Sequence, residues 1–190
     1  MAQRSWRGRV FIGATLDGYI ARKNGDIEWL TNPPMGKHAR IHSDTQPIGW
    51  DNFYPSVSHL VIGRGTYEKV LTFDTWPYGG KQVIVMSTSL DKPDHDVTVV
   101  RSLDEAVSQL EKTGANDVYV DGGKVIQEFL RAGLIDEITV SIAPVLIGDG
   151  LPLFGSLSKD CWLDLVATSS GESGMVTATY NVRGLDQEQL

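Results

Sequence analysis

Two apolar runs in this chain end at glycine and continue directly into a helical pattern. Residues 60–62 precede Gly63, and residues 118–120 precede the Asp-Gly-Gly sequence at 121–123. Each run predicts a buried strand that ends where a helix begins. Such a junction presents free backbone N–H groups and the positive end of the helix dipole. Two junctions of this kind indicate a ligand with several phosphates, and a dinucleotide is the first candidate.

These glycines also have a purely structural explanation, because glycine lets a backbone turn sharply or approach its neighbours closely. The first junction departs from the Gly-x-Gly-x-x-Gly fingerprint, since Glu68 stands where the third glycine belongs. A Gly-x-x-x-x-Gly-Lys-Ser/Thr phosphate-binding loop occurs nowhere in the sequence. Both explanations of the two junctions therefore stay open at this point.

The rest of the sequence alternates predicted strands with predicted helices. The clearest helix covers 102–112, with Ser102 as N-cap, Glu105 as the second member of a capping box, and an apolar stripe. Residues 22–49 are the least regular, because prolines and glycines interrupt any long element. Predicted strands cover 10–15, 59–63, 82–86, 97–100, 117–121, 136–143, 162–168 and 175–182, with an extended segment at 19–21; predicted helices cover 51–57, 66–71, 102–112 and 124–132.

This order of elements predicts a single α/β domain over residues 8–184, with residues 185–190 as a loose tail. Its core is a central, mixed, mainly parallel sheet flanked by helices, and the last two strands form a C-terminal antiparallel hairpin. Residues 134–135 and 138–142 are apolar enough to form either an interface or a core. A homodimer is therefore possible, although no sequence feature requires one.

Composition excludes several classes of protein. The chain of 190 residues carries a net charge of −7, whereas a general nucleic-acid binder shows a basic face. An anionic cofactor remains compatible, because Arg64, Arg101 and Lys124 can supply local positive charge. No stretch approaches the roughly 20 apolar residues that cross a membrane, and the N-terminus lacks a signal peptide's length. We therefore expect a cytoplasmic protein that acts on a small molecule.

Candidate metal ligands and thiols are few. His38 and His42 have the i, i+4 spacing of helical metal ligands, but no Glu-x-x-His sequence or cysteine cluster accompanies them, so we predict no metal. Cys161 is the only cysteine, which excludes an internal disulfide and favours a reducing compartment. Without an evident histidine and acidic partner, Cys161 is expected to be a buried apolar residue.

Four sequence blocks occur together and in order: 14–21 (ATLDGYIA), 63–68 (GRGTYE), 121–123 (DGG) and 143–154 (APVLIGDGLPLF). This set resembles the bacterial family that joins dihydrofolate reductase-like proteins to the reductase domain of riboflavin biosynthesis, and the resemblance runs from about Val10 to Val182. It implies a dihydrofolate reductase-like fold that binds NADPH across its strand ends. It also implies a homodimer and an NADPH-dependent reductase of a small heterocyclic substrate, resembling 5-amino-6-(5-phosphoribosylamino)uracil reductase.

The resemblance also implies which residues bind the cofactor. Gly63, Arg64 and Thr66 match the turn that holds the pyrophosphate and the adenosine side, and Ala14 and Ile20 lie where the family packs the nicotinamide. An arginine beside a glycine turn can bind phosphate bidentately, or it can pair with an acidic neighbour. The other matching positions are Ser87 and Thr88 near the adenine ribose and its 2′-phosphate, and Asp121, Gly122, Gly123, Lys124, Val125 and Ile126 in the second phosphate cradle.

The substrate side is less defined. Reduction of a C=N or C=O bond needs a proton, and the candidate donors are Asp17, in the Asp-Gly-x-Ile-Ala block, and Asp51, on the predicted short helix. Neither aligns cleanly with the carboxylate that dihydrofolate reductases carry on their first helix. Further candidates are Glu28 and Asp44 for the proton, Arg22, Lys37 and Arg40 for a substrate phosphate, and Trp29, Trp50, Phe53 and Tyr54 for stacking against a flat ring.

Two alternatives remain beside the ribosylamino-pyrimidine reductase. One is dihydrofolate reduction, and the other is a nucleotide-binding protein of the same fold that has lost its proton donor. The His-x-Glu and Pro-Cys-x-x-Cys sequences of the zinc deaminases often fused to riboflavin reductases are absent from this chain.

Overall fold

The fold was obtained as a computed structural model, which describes residues 4–31, 46–171 and 173–183. Ten strands and five helices follow one another along the described residues. The strands are β1 (Arg7–Thr15), β2 (Tyr19–Ala21), β3 (His59–Gly63), β4 (Gln82–Met86), β5 (Thr98–Val100), β6 (Asp117–Asp121), β7 (Glu137–Ala143), β8 (Leu151–Pro152), β9 (Leu163–Ser170) and β10 (Val176–Val182). The helices are α1 (Glu28–Thr31), α2 (Trp50–Ser56), α3 (Arg64–Val70), α4 (Leu103–Lys112) and α5 (Gly123–Arg131).

Eight of these strands form one sheet in the order β5-β4-β3-β6-β1-β7-β10-β9. The strands from β5 to β7 are parallel to one another, whereas β10 is antiparallel to both β7 and β9. The predicted mixed, mainly parallel sheet with a C-terminal antiparallel hairpin is therefore confirmed. Strands β2 and β8 pair separately as a short two-stranded sheet.

Helices cover both faces of the large sheet, and each face has its own apolar core. Within β3 the side chains alternate, so that Val61 belongs to the core under α4 and α5 while Leu60 and Ile62 belong to the core under α2 and α3. Phe129 of α5 and Phe53 of α2 are fully buried in these two cores. With both faces covered, the ends of the strands remain as the place for a ligand.

Two predicted elements illustrate how closely local signals determine local structure. Ser102 accepts a hydrogen bond from the Glu105 N–H at 3.2 Å, as predicted for the N-cap of α4. The Glu105 carboxylate accepts from the Arg101 N–H at 2.7 Å, one residue earlier than a regular capping box requires. Helix α5 begins at Gly123, one residue before the predicted start. The low helix propensity of glycine disfavours such a start, but glycine is tolerated in the first turn of a helix.

The apolar residues for which the sequence allowed either an interface or a core belong to the core. Ile135, Ile138 and Val140 are at most 9% exposed in this chain. Cys161 is half-buried and packs against the core beside α5, and burial raises the pKa of its thiol. No helix in the described parts of the chain is long and apolar enough to cross a membrane.

Candidate active site

The two glycine junctions lie side by side at the carboxyl edge of the sheet. Strands β3 and β6 are neighbours, with Ile62 opposite Asp121. From β3 the chain continues to β4 on one side, and from β6 it continues past β1 to β7 on the other side. Adjacent parallel strands whose connections diverge in this way leave a crevice beyond their carboxyl ends, which is the usual ligand site of such sheets.

Close contacts at this crevice explain why the second junction carries glycine. Gly122 has a φ of +90°, and a Cβ on it would lie 2.6 Å from Thr66 Oγ1 of α3. A Cβ on Gly63 would lie 3.2 Å from Val125 Cγ2 of α5. The structure therefore brings together the predicted residues of both junctions. Their close approach leaves no room for a side chain at position 122.

Arg64 lies at the start of α3 and reaches the turn that follows β4. Its Nε donates to Glu68 Oε1 at 2.6 Å and its Nη1 donates to Ser89 Oγ at 2.7 Å. The side chain is 50% exposed, so the guanidinium also faces solvent. Both sequence explanations of Arg64 fit this geometry, because it pairs with an acidic neighbour and still borders the crevice.

A second arginine borders the same turn. Arg101 donates to the Ser87 carbonyl oxygen at 2.6 Å and to Asp91 Oδ1 at 3.0 Å. The buried Ser87 hydroxyl accepts from the backbone N–H groups of Ser89 and Leu90, which fixes the shape of the turn that also carries Thr88. The sequence indicated Arg101 only as a possible positive charge; the structure places it beside the predicted 2′-phosphate region.

The predicted nicotinamide residues have different positions. Ile20 Cδ1 lies 3.3 Å from the site that a Cβ on Gly123 would occupy, so Ile20 lies against the start of α5. Ala14 is 1% exposed, and its methyl group belongs to the core shared with α4 and α5. Lys124 is exposed at the first turn of α5, while Val125 and Ile126 are buried and hold that turn on the sheet.

Asp121 is the strongest acid–base candidate at the crevice. Its carboxyl group is half-buried at the end of β6, on the same face of the sheet as Tyr119, whose hydroxyl donates to the Phe11 carbonyl oxygen at 3.0 Å. Burial raises the pKa of Asp121 to about 6, against the weaker opposing effect of the hydrogen bond from the Gly122 N–H. An acid with such a pKa can hold or release a proton near neutral pH, a role that the sequence did not assign to Asp121.

The two carboxylates that the sequence proposed as proton donors lie elsewhere. Asp17 accepts hydrogen bonds from Thr15, Ile147 and Gly148, and these lower its pKa below the usual range, with the Thr15 hydroxyl as the largest cause. Asp51 is exposed in the first turn of α2. At Asp17 the hydrogen bonds outweigh the effect of burial, and Asp51 is open to solvent, so neither shares the raised pKa of Asp121; their assignment as donors stays a prediction.

The remaining substrate-side candidates lie in different parts of the structure. Glu28 is exposed at the start of α1, and Arg22 forms an ion pair with Asp26 at 3.4 Å. Three or more histidine, cysteine or acidic side chains do not come together as a metal site in the part of the chain that the structure describes. Lys37, His38, Arg40, His42 and Asp44 lie outside the described residues.

An aromatic surface leads from α2 toward Asp121. Trp50 is 42% exposed and stacks on Tyr54, with 5.0 Å between ring centroids. The edge of Trp50 contacts Tyr119 at 5.8 Å, and Tyr119 is two residues from Asp121 on the same strand face. Phe53 and Trp29 are buried, so of the four predicted stacking residues Trp50 and Tyr54 remain open to a flat ligand.

Fold and site together define the class of the protein: an α/β domain with a dihydrofolate reductase-like sheet and a crevice beyond two neighbouring strands that end at glycine. The dihydrofolate reductase from Enterococcus faecalis complexed with NADP(H) superposes with a TM-score of 0.66 over 93% of this chain and 96% of its own, at 19% identity. That likeness establishes the fold.

Sequence comparison gives the family. Residues 8–177 match the RibD C-terminal domain, and the chain belongs to this family. It is 31% identical over 179 residues to the uncharacterized protein YwjB of Bacillus subtilis, covering 92% of this chain and 96% of that one. A putative riboflavin biosynthesis protein from Shewanella sp. PV-4 is 33% identical, with a TM-score of 0.77 over 93% of this chain and 99% of its own.

Proposed function

We propose that this protein is an NADPH-dependent reductase of a small heterocyclic substrate, of the type that reduces 5-amino-6-(5-phosphoribosylamino)uracil in riboflavin biosynthesis. The observation that carries the proposal is the position of a half-buried carboxyl group with a raised pKa, Asp121, next to a double-glycine helix start. Membership of the RibD C-terminal domain family and the NADP(H) of the dihydrofolate reductase with the same fold support it.

The residues at the crevice fit a dinucleotide phosphate. The backbone N–H groups in the first turn of α5 and the positive end of its helix dipole favour an anion there, while glycine at 122 and 123 is required by the protein's own packing, because a Cβ would lie 2.6 Å from Thr66 Oγ1 or 2.5 Å from the Pro152 carbonyl oxygen. Gly63, Thr66 and the first turn of α5 would hold the pyrophosphate. Arg64 and Arg101, on either side of the turn after β4, would hold a 2′-phosphate by charge-assisted hydrogen bonds.

NADPH, when bound, supplies the hydride; the chain's own residues supply orientation and a proton. Ile20 and the start of α5 would limit the position of the nicotinamide, and such positioning is what hydride transfer requires of a protein. The exposed ring of Trp50 would stack on the flat substrate, and the protonated Asp121 carboxyl group would donate the proton that completes reduction. Both groups lie on the same face of the sheet, because Trp50 contacts Tyr119, which alternates onto the same strand face as Asp121.

We expect Arg64→Ala to weaken NADPH binding by about tenfold or more and to leave NADH binding nearly unchanged, because a charge-assisted hydrogen bond contributes about 1.5–3 kcal/mol. Arg101→Ala should act in the same direction. The measurement is a titration of each variant with NADPH and with NADH, followed by quenching of tryptophan fluorescence.

Arg131→Ala is the matched control, since this arginine lies in the last turn of α5, at the opposite end of that helix from the cradle. Equal weakening of both nucleotides in Arg64→Ala would contradict a 2′-phosphate contact. If the wild-type protein binds neither nucleotide, the reductase proposal fails. Binding of NADPH without oxidation in the presence of ribosylamino-pyrimidine or dihydrofolate would leave the non-catalytic alternative.

A further inference from the structure

Two chain segments far apart in sequence form one unit beside the α5 cradle. Residues 15–23, after β1, and residues 143–153, after β7, are together called the flap. Strands β2 and β8 join its two segments, and the Leu153 N–H donates to the Gly18 carbonyl oxygen at 2.9 Å. Where the two segments leave the large sheet, the Leu16 N–H donates to the Val145 carbonyl oxygen at 3.0 Å.

The flap contacts the predicted cofactor cradle directly. The Pro152 carbonyl oxygen and Ile20 Cδ1 lie 2.5 and 3.3 Å from the position of a Cβ on Gly123. The Gln127 side chain of α5 donates to the carbonyl oxygens of Pro152 and Leu153 at 3.1 and 3.3 Å. A displacement of the flap would therefore move Ile20 and change the space above the start of α5.

The Asp17 side chain connects the two segments of the flap. Its Oδ2 accepts from the backbone N–H groups of Ile147 at 3.1 Å and Gly148 at 2.8 Å, while its Oδ1 accepts from the Thr15 hydroxyl at 2.5 Å. The Thr15 hydroxyl in turn accepts from the Tyr19 N–H at 3.0 Å, next to Ile20. One carboxylate thus links residues 147 and 148 of the second segment to the strand that carries Ile20.

We propose that Asp17 is a positioning residue, whose carboxylate holds the two segments of the flap together and so fixes Ile20 against the Gly122–Gly123 cradle before the cofactor binds. The part of this inference that concerns the cofactor rests on the proposed function. Four hydrogen bonds converge on this short motif, and each of them requires an acceptor at Asp17 or Thr15. The same hydrogen bonds keep Asp17 ionised at neutral pH, which is unsuited to a proton donor but suited to an acceptor of N–H groups.

Amide hydrogen exchange of the ligand-free protein tests the structural half of the proposal. In Asp17→Ala, the amides of Ile147 and Gly148 lose their acceptor, and we expect them to exchange about tenfold faster or more. Asp17→Asn keeps an acceptor oxygen without the charge, so its exchange rates should fall between those of wild type and Asp17→Ala. Thr15→Val keeps the buried volume and removes the hydroxyl, and should accelerate the same amides to a smaller extent.

Asp164→Ala is the matched control. Asp164 is also a carboxylate with a lowered pKa and short hydrogen bonds, here to Arg183, but it lies near the start of β9, at the other edge of the sheet. We expect unchanged exchange at residues 147 and 148 in this variant. Unchanged exchange in Asp17→Ala would overturn the proposal, whatever the protein does with nucleotides.

Nucleotide binding and turnover test the functional half. For Asp17→Ala we expect about tenfold weaker NADPH binding, with Asp17→Asn recovering part of the loss. A large and equal loss of kcat in both variants, with unchanged NADPH affinity, would instead identify Asp17 as the proton donor and overturn the positioning role. If wild type binds no nucleotide, the proposed function fails, while the exchange rates still support or overturn the role of Asp17 in the flap.

Discussion

Asp121→Asn is expected to lower kcat by about 10²- to 10⁴-fold, the usual contribution of a positioned general acid, with little change in NADPH affinity. Asparagine keeps the size and a hydrogen-bonding group at the end of β6, so the cradle formed by Gly122 and Gly123 is retained. It cannot deliver a proton to the substrate. Steady-state kinetics with NADPH, together with a fluorescence titration of the cofactor, separate these two effects.

The pH dependence gives an independent test of the same residue. Burial raises the pKa of Asp121 to about 6, so the proton-bearing form dominates below pH 6 and decreases above it. Wild-type kcat should therefore fall as the pH rises through about 6, and Asp121→Asn should lack this step. A wild-type profile without a step near pH 6, or a variant that retains it, would show that another group supplies the proton.

Thermal unfolding of the Asp121→Asn variant distinguishes a loss of catalysis from a loss of folding. The pKa of the Asp121 carboxyl group is higher in the folded protein, at about 6, than in the unfolded protein, at about 3.9. Its contribution to stability is therefore fully present below about pH 3.9 and is lost as the pH rises through about 6. The substituted amide has no charge to bury at pH 8. We therefore expect Asp121→Asn to unfold at a temperature no lower than that of wild type at pH 8.

The comparison with Asp51→Asn distinguishes the competing donors. Asp51 is exposed at the start of α2, where its carboxyl group is open to solvent. If the proton comes from Asp51, as one sequence prediction holds, this variant rather than Asp121→Asn will show the large loss of kcat. A substantial loss in both variants would indicate that the two carboxylates act on the same step.

The sequence predicted the sheet best where the strands are buried on both faces. Strands β3, β4 and β6 begin and end at the predicted residues, because such strands are continuous apolar runs in which polar residues or glycine lie at or directly after the ends. Strand β8 was not predicted, since it has two residues, includes Pro152 and is defined only by its pairing with β2. A pairing between segments about 130 residues apart leaves no local signal in the chain.

The same limit applies to the site. The glycines of both junctions could be recognised from sequence, because a strand that ends at glycine and opens a helix is a local pattern. The hydrogen bonds of Asp17 to residues 147 and 148 could not, since they depend on how two distant loops fold together. For Asp121 a signal was present, namely an acidic residue ending an otherwise apolar strand, but its raised pKa follows only from the burial that the fold creates.

Arg9→Ala is expected to destabilise the protein by about 3–5 kcal/mol, the usual cost of removing one partner of a buried ion pair. The Arg9 side chain is 8% exposed and donates to Glu137 Oε1 from Nε at 2.9 Å and from Nη2 at 2.7 Å. It also donates to Ser56 Oγ at 2.9 Å and lies over the Phe53 ring, 4.9 Å from its centroid. Alanine would remove the two shortest contacts of the Glu137 carboxylate, which is only 14% exposed, and would leave it the more exposed Arg7 at 3.5 Å as its counter-charge.

Urea unfolding measures this effect, and two variants define it. Arg183→Ala removes an ion pair on the surface, with Asp164, and should change stability little because exposed pairs are screened by water. Combining Arg9→Met with Glu137→Gln removes both charges, so it should cost less than Arg9→Ala alone. A loss of unfolding free energy in Arg9→Ala as small as that in Arg183→Ala would contradict a buried ion pair.

Since Arg9 contacts the start of β7, at the edge opposite the crevice, the folded fraction of Arg9→Ala should bind NADPH as wild type does.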